Sequence, residues 1–154
     1  MIFGGVSREG RTPLVVLPSG FRLNQQTYQE KCIRFVQKNM PYKLNAKTAI
    51  FYQDKAPCHA AKSTQDILAE IFPCFIRNNN MPPNAPDLNV LDYCVWSLLK
   101  QGLNKYGLIG NYPKLKKILK KVWNNIPQEA IRDAVDSWPY RNRAVYLASG
   151  AHIE

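Results

Sequence analysis

The sequence predicts an α/β layered domain with a helical C-terminal part. Three observations predict it. β-rich runs open the chain and recur at residues 48–54, "TAIFYQD". Segments with apolar residues at helical spacing alternate with those runs. From residue 89 to residue 138 only helical spacing remains.

The elements follow in order. "MIFGGVS" reads as a strand that ends in the turn "REGR", and "TPLVVLPSGFRLN" as a second strand with a turn at Pro18-Ser19-Gly20. Together they form an expected antiparallel hairpin. "NQQTYQEKCIRFVQKNM" has Tyr28, Cys32, Phe35 and Val36 at helical spacing, with Asn24 as the cap and Pro41 as the stop. "TAIFYQD" is apolar at its centre without polar alternation, as in a strand covered on both faces. "AAKSTQDILAEIF" returns to a helix carrying Ile67, Leu68, Ile71 and Phe72 on one face. "CFI" is a candidate short strand. "RNNNMPPNAPDLN" is a loop by its asparagines, prolines and turn dipeptides.

"NVLDYCVWSLLKQGL" is an expected helix capped by Asn89, with Leu91, Val95, Leu98 and Leu99 as its buried stripe. "KLKKILKKVW" is amphipathic: Leu115, Ile118, Leu119, Val122 and Trp123 make the stripe and lysines fill the remainder. "IPQEAIRDAVDSW" starts with Pro127 in the first turn and puts Ile131, Ala134, Val135 and Trp138 on one side. The tail "YRNRAVYLASGAHIE" fits no single pattern. No internal repeat or low-complexity tract is present.

Composition bounds the function. Hydrophobic residues make up 45% of the 154, which excludes a disordered chain and is enough for one sizeable core. The net charge of +10 suits a polyanionic partner. Between Asp92 and Glu129 stand Lys100, Lys105, Lys114, Lys116, Lys117, Lys120 and Lys121, with no acid. That asymmetry favours a nucleic-acid footprint over a merely solvated face. Cys32, Cys58, Cys74 and Cys94 are too widely spaced for zinc pairs, and His59 and His152 are the only histidines. Unpaired thiols and no leader at Met1 point to a reducing compartment. "LVVL" is far too short to span a bilayer, so no membrane role is expected.

Two carboxylates occupy chemically suggestive places. Asp54 ends the expected 48–54 strand, where acids in open α/β sheets face the ligand crevice. Asp92 lies in the first turn of a helix. Each also has a structural explanation, an Asx turn at Asp54-Lys55-Ala56-Pro57 and a capping box of Asn89 with Asp92. Two-metal phosphoryl transfer gives such a pair another meaning, because it needs carboxylates converging from separate elements on hard divalent ions.

"FYQDKAPCHAA" and "MPPNAPDLNVLDYCVWSLLK" together strongly resemble the catalytic domain of mariner-type DNA transposases, of the Tc/mariner superfamily. Its members carry "QDNAPCH" at their second catalytic aspartate and "PPNSPDLNPLDY" or "SPDLNPIE" before the third acid. "FGGVSREGRTPLVVLPSGFRLNQQTYQE" is similar to the family's strand, hairpin and following helix, and "RAVYLASGAHI" to its C-terminal ending. The likeness covers nearly all of residues 1–154 as a single partial DDE/DDD domain.

The resemblance implies a ribonuclease-H-like, retroviral-integrase-like mixed sheet with flanking helices. It implies that Asp54 and Asp92 are catalytic metal ligands for Mg²⁺ or Mn²⁺, with 37 residues between them as in the subgroup ending in aspartate. Asp87 belongs to the motif but is not a usual ligand. Lys55 stands where asparagine is usual and Ala85 where serine is usual. Lys55, His59 and the seven lysines from 100 to 121 are the expected nucleic-acid contacts, and a turn-packing role is also open to His59. DNA is the implied partner and the nucleus the implied compartment.

The family's first acid lies on a strand before the one that opens these residues, and neither it nor the helix-turn-helix DNA-binding region is among them. The expectation is therefore an N-terminally truncated domain lacking its first, central strand. Such a chain would bind metal weakly, be inactive alone, and self-associate through open strand edges. A non-catalytic nucleic-acid-binding or interaction module derived from a transposase is the alternative. A relic without function is a third reading.

Overall fold

The computed structural model describes residues 1–18, 20–82 and 85–153. Ser19 of the expected 18–20 turn, and Pro83 and Asn84 of the expected loop, lie outside the described residues.

The first 17 residues form the expected hairpin, broken into two short ladders. β1 (Ile2–Phe3) pairs antiparallel with β4 (Val15–Val16), and β2 (Val6–Ser7) with β3 (Gly10–Arg11). Ile2 faces Val16 while Val6 faces Arg11, so four steps on one strand match five on the other. The extra residue is a β-bulge beside Pro13, which has no amide to give the ladder. Thr12 bridges the break: its amide donates to Gly5 O at 2.8 Å and its Oγ1 accepts from the Gly5 amide at 2.9 Å.

Side chains alternate across the hairpin and split the core into two clusters. Ile2, Val6 and Val16 pack against one, Phe3 against the other. The first cluster joins Leu14 to the C-terminal helices: α5 (Trp96–Asn104), α6 (Tyr112–Asn125) and α7 (Gln128–Leu147). Trp123 is fully buried at its centre, and its indole Nε1 donates to Thr12 O at 2.8 Å. Gly4 lets it in, since a Cβ there would lie 2.8 Å from Trp123 Cη2. Gly102 serves the α5–α6 contact in the same way, because a Cβ would run into Val122 Cγ1. Arg11 closes the end of α6, donating to the carbonyls of Trp123 and Ile126, both at 2.6 Å.

The second cluster lies under the other face. α1 (Gln25–Tyr28), a π-helical turn (Gln29–Ile33) and α2 (Arg34–Lys38) run on as one rod. Asn24 caps it as expected, accepting from the Thr27 amide at 2.9 Å. Tyr28, Cys32, Ile33 and Val36 meet Leu68, Ile71 and Phe72, which come from α4 (Lys62–Ile71) and its C-cap.

Three expectations need correction. "TAIFYQD" and "CFI" form no ladder: Thr48 and Ala49 lie in a turn and a bend, and Phe51–Gln53 and Phe75–Ile76 belong to no strand. One bond joins them, from the Ile76 amide to Phe51 O at 2.9 Å. A strand is defined by its neighbour, and among the described residues no neighbour completes a ladder here. Pro127 precedes α7 as its N-cap instead of starting it. The ambiguous tail continues α7 through Pro139 to Leu147. Tertiary bonds on both sides of that proline hold the helix despite its missing donor. Among the described residues no helix is long and apolar enough to cross a membrane.

Candidate metal and nucleic-acid site

The segment carrying Asp54 is anchored by its neighbour in sequence. Gln53 is buried, and a buried amide needs partners on both its oxygen and its nitrogen. Tyr28 Oη donates to Gln53 Oε1 at 2.6 Å, and Gln53 Nε2 donates to His59 O at 3.3 Å. Gln65 Nε2 reaches the same carbonyl at 2.9 Å. This network ties the first helix, the Asp54 segment and the start of α4 together.

Asp54 then makes the Asx turn expected of it, its Oδ1 accepting from the Ala56 amide at 3.2 Å. Pro57 opens the short helix α3 (Pro57–Ala60), which returns His59 to the acid. His59 Nδ1 lies 2.5 Å from Asp54 Oδ1, and the ring stacks on Tyr28 with centroids 4.0 Å apart. Of the two roles open to His59, this position is the turn-packing one, and the ring also grips the acid. Turn chemistry and acid placement at Asp54 likewise coexist.

Asp92 is mounted differently. A 3₁₀ turn (Pro86–Leu88) leads into Asn89, whose carbonyl accepts from the Asp92 and Tyr93 amides at 2.9 and 3.0 Å. Asn89 Oδ1 accepts from the Leu91 amide at 3.1 Å. The helix therefore has its asparagine cap. It begins as a π-helical turn (Leu91–Val95) before continuing as α5. Such turns shift side chains off the ordinary helical register and recur at functional sites.

Asp54 and Asp92 line one open cleft of about 340 Å³, with Tyr52, Lys55, Pro86 and Asn89. The hydrogen bond from His59 holds the Asp54 carboxyl below the usual carboxylate range. Partial desolvation, and then the charge of Asp54, push the Asp92 carboxyl up. An acid whose ionisation is made costlier by a neighbouring carboxylate is what a shared cation relieves. Both bonds to Asp54 fall on Oδ1, so its second oxygen is spared by them. The donor set is oxygen only and fits a hard divalent ion. Among the described residues no group of three or more His, Cys, Asp or Glu could hold a metal, so a metal centre here would draw on this pair of carboxylates alone.

The expected phosphate contacts divide into two places. Lys55 lines the cleft. Lys114, Lys116, Lys117, Lys120 and Lys121 are exposed on α6, opposite the buried Ile118, Leu119, Val122 and Trp123. Lys100 and Lys105 are exposed on and just after α5. Asn111 caps α6 by accepting from the Lys114 amide at 2.9 Å.

The motif gives Asp87 no ligand role, yet the residue has a definite place. It is buried, and its carboxylate accepts from His152 Nδ1 at 2.9 Å and from the Ile153 amide at 3.4 Å. The hydrogen bond from His152 holds this carboxyl below its ordinary range. A depressed carboxyl contributes stability above its unfolded value, near 4, which is lost as pH falls through the folded value. The melting temperature of the chain is therefore expected to exceed that of Asp87→Asn at neutral pH. The difference should close below about pH 4; a gap unchanged from pH 7 to 3 would rule this out. Helical spacing makes Tyr28 a core residue and nothing more; a glutamine before an acid in an apolar run was the available signal that it needed a buried donor.

No protein-family model matches the chain, and no curated protein does. Solved structures do. The crystal structure of the catalytic domain of Mos1 mariner transposase matches with a TM-score of 0.81 and 22% identity, over 99% of this chain and 75% of that one. The same domain with raltegravir and Mn matches at 0.81 and 22%, over 99% and 76%. The Mos1 mariner paired end complex with Mn matches at 0.82 and 22%, over 99% of this chain and 44% of that chain. The chain thus shares the fold of the Mos1 mariner transposase catalytic domain, although in place of the expected mixed sheet the described residues form only two antiparallel two-stranded ladders.

Proposed function

We propose that this chain is a segment of a mariner-type DNA transposase catalytic domain, acting on DNA in the nucleus. The observation that carries the proposal is the convergence of Asp54 and Asp92, from the loop after Gln53 and a helix start, on one cleft in this fold. The reaction class is hydrolysis of a DNA phosphodiester, followed by attack of the freed 3′-hydroxyl on a second DNA. A bound Mg²⁺ or Mn²⁺ would activate the attacking oxygen and stabilise the leaving one. Asp54 and Asp92 would hold the ion, His59 keeps Asp54 in place, and Lys55 attracts a phosphate to the cleft.

Two ligands leave the site incomplete. The 154-residue chain by itself is accordingly proposed to be inactive in cleavage. Purified chain with Mg²⁺ or Mn²⁺ and labelled duplex DNA is expected to give no more product than Asp54→Ala. Robust cleavage abolished by Asp54→Ala would overturn the inactivity and retain the transposase chemistry. The edge of β1 away from β4, which pairs with no strand among the described residues, supports self-association as well. Sedimentation at rising concentration is expected to show oligomers, and a monomer throughout would remove that part.

A second reading is a non-catalytic DNA-binding module, favoured by one specific observation. Lys114 sits in the first turn of α6, where the helix dipole disfavours a cation, and the first turn contains no acid. Helix stability does not call for that charge, whereas a phosphate partner does. This reading requires salt-dependent DNA binding that ignores Mg²⁺ and Asp54→Ala.

A further inference from the structure

We propose that Asp87 is a positioning residue, through which α7 and the C-terminal tail fix the turn that mounts Asp92 in the cleft. The proposal rests on the reading of Asp54 and Asp92 as ligands of a divalent ion. Helix α7 binds that turn by consecutive carbonyls. Trp138 Nε1 donates to Leu88 O at 2.9 Å and Arg141 Nη1 to Asp87 O at 3.4 Å. Tyr93, the residue after Asp92, donates back through its hydroxyl to Ala134 O at 2.6 Å. The Arg141 guanidinium lies 4.1 Å from the centroid of the Tyr93 ring.

The tail completes the clamp from the other side. After α7, Ser149 and Gly150 take left-handed backbone, with φ of 53° and 85°, and turn the chain back. The Gly150 amide closes the turn on Val145 O at 2.9 Å. That reversal brings His152 and Ile153 to the buried Asp87 carboxylate. A segment without secondary structure loses more entropy on docking than these few bonds return unless the contacts are strong. The charge-assisted bond from a histidine to a buried carboxylate is such a contact.

The consequence is mechanical. The Pro86–Leu88 turn lies between the clamp and Asn89, and Asn89 O receives the amide of Asp92. The same turn supplies Pro86 to the cleft wall. Letting go at Asp87 frees the turn and, with it, the angle at which Asp92 meets Asp54. Asp87 touches no reacting atom, and its action passes through the backbone.

The test uses the 154-residue chain, with Mn²⁺ as the probe. Free Mn²⁺ is measured by electron paramagnetic resonance, and amide exchange is followed at residues 91–93. His152→Ala, at the chain end, avoids the unfolding risk of substituting buried Asp87. It is expected to weaken Mn²⁺ binding about tenfold, the lower end of what loss of an outer support costs a metal site. It should also speed exchange at Asp92 and Tyr93, and lower the melting temperature at neutral pH by no more than Asp87→Asn does. His152→Asn, which keeps a donor near the Nδ1 position, is expected to restore both. Unchanged exchange in His152→Ala would overturn the proposal. So would faster exchange with unchanged Mn²⁺ affinity, which would leave the clamp a structural fastening only. If the chain takes up no Mn²⁺, or takes it up equally with Asp92→Ala, the ligand reading fails and carries the proposal down with it.

Discussion

Trp123→Ala is expected to destabilise the domain by roughly 3–5 kcal/mol, the range for removing a fully buried tryptophan. Small domains have about 5–15 kcal/mol in total, so the variant should be largely unfolded or close to it. The reason lies in what meets at this side chain. It is fully buried among residues from the hairpin, α5, α6 and α7, with the Trp96 ring 5.9 Å away. Its Nε1–H also satisfies Thr12 O, at the bulge where the two ladders change register. Alanine opens a cavity and orphans that carbonyl together. Trp123→Phe keeps most of the volume but lacks the donor, and should cost about 1–3 kcal/mol, the scale of one unsatisfied buried acceptor plus a small void. Urea titrations of the three proteins check the order. A loss below about 1 kcal/mol for the alanine variant would mean that this core is not what joins hairpin to helices.

Replacing Lys114, Lys116, Lys117 and Lys120 together by glutamine is expected to cut DNA affinity and lower the salt slope by about 3–4, close to one unit for each phosphate no longer neutralised. These side chains are exposed opposite the buried stripe of α6, so the fold should be retained. The melting temperature should hold or rise slightly, because Lys114 opposes the helix dipole. Lys121 is left in place since its ammonium lies 5.9 Å from the centroid of the Tyr106 ring. Fluorescence anisotropy with one labelled duplex, over roughly 50 to 200 mM salt, checks the result. An unchanged slope would move the DNA contact away from α6 and leave the cleft lysine, Lys55, as its main candidate. Because the effect is set by charge, it is expected with or without Mg²⁺.

The helices were legible wherever apolar residues repeat at helical spacing. α4 and α6 fall where that spacing put them, and Asn24 and Asn89 each cap the segment that follows. Such features are local: an asparagine side chain and an amide two or three residues on decide them. The hairpin was legible for the same reason, since its turn lies between its own strands. Its change of register was not, because a bulge is a relation between two strands and neither strand encodes it alone. "TAIFYQD" failed as a strand for the same cause. Its apolar centre fits a strand buried on two faces, but a ladder needs a partner at its edge, and the described residues provide only the Ile76 amide.

The site divides along the same line. Sequence by itself determined the residue types: two acids 38 positions apart in family-like motifs, a histidine five residues after the first, and a lysine-rich amphipathic helix. It also determined the Asx turn and the asparagine cap, which are made within four residues. Tertiary structure decided that Asp54 and Asp92 share one cleft and that Gln53 is held by Tyr28. It also decided that Asp87 is held by His152, from the far end of the chain. The physical reason is sequence separation. The Asp87–His152 bond spans 65 residues and the Tyr28–Gln53 bond 25, and no local periodicity carries information over such distances. Only the burial of two apolar faces against one hairpin brings those groups within bonding range.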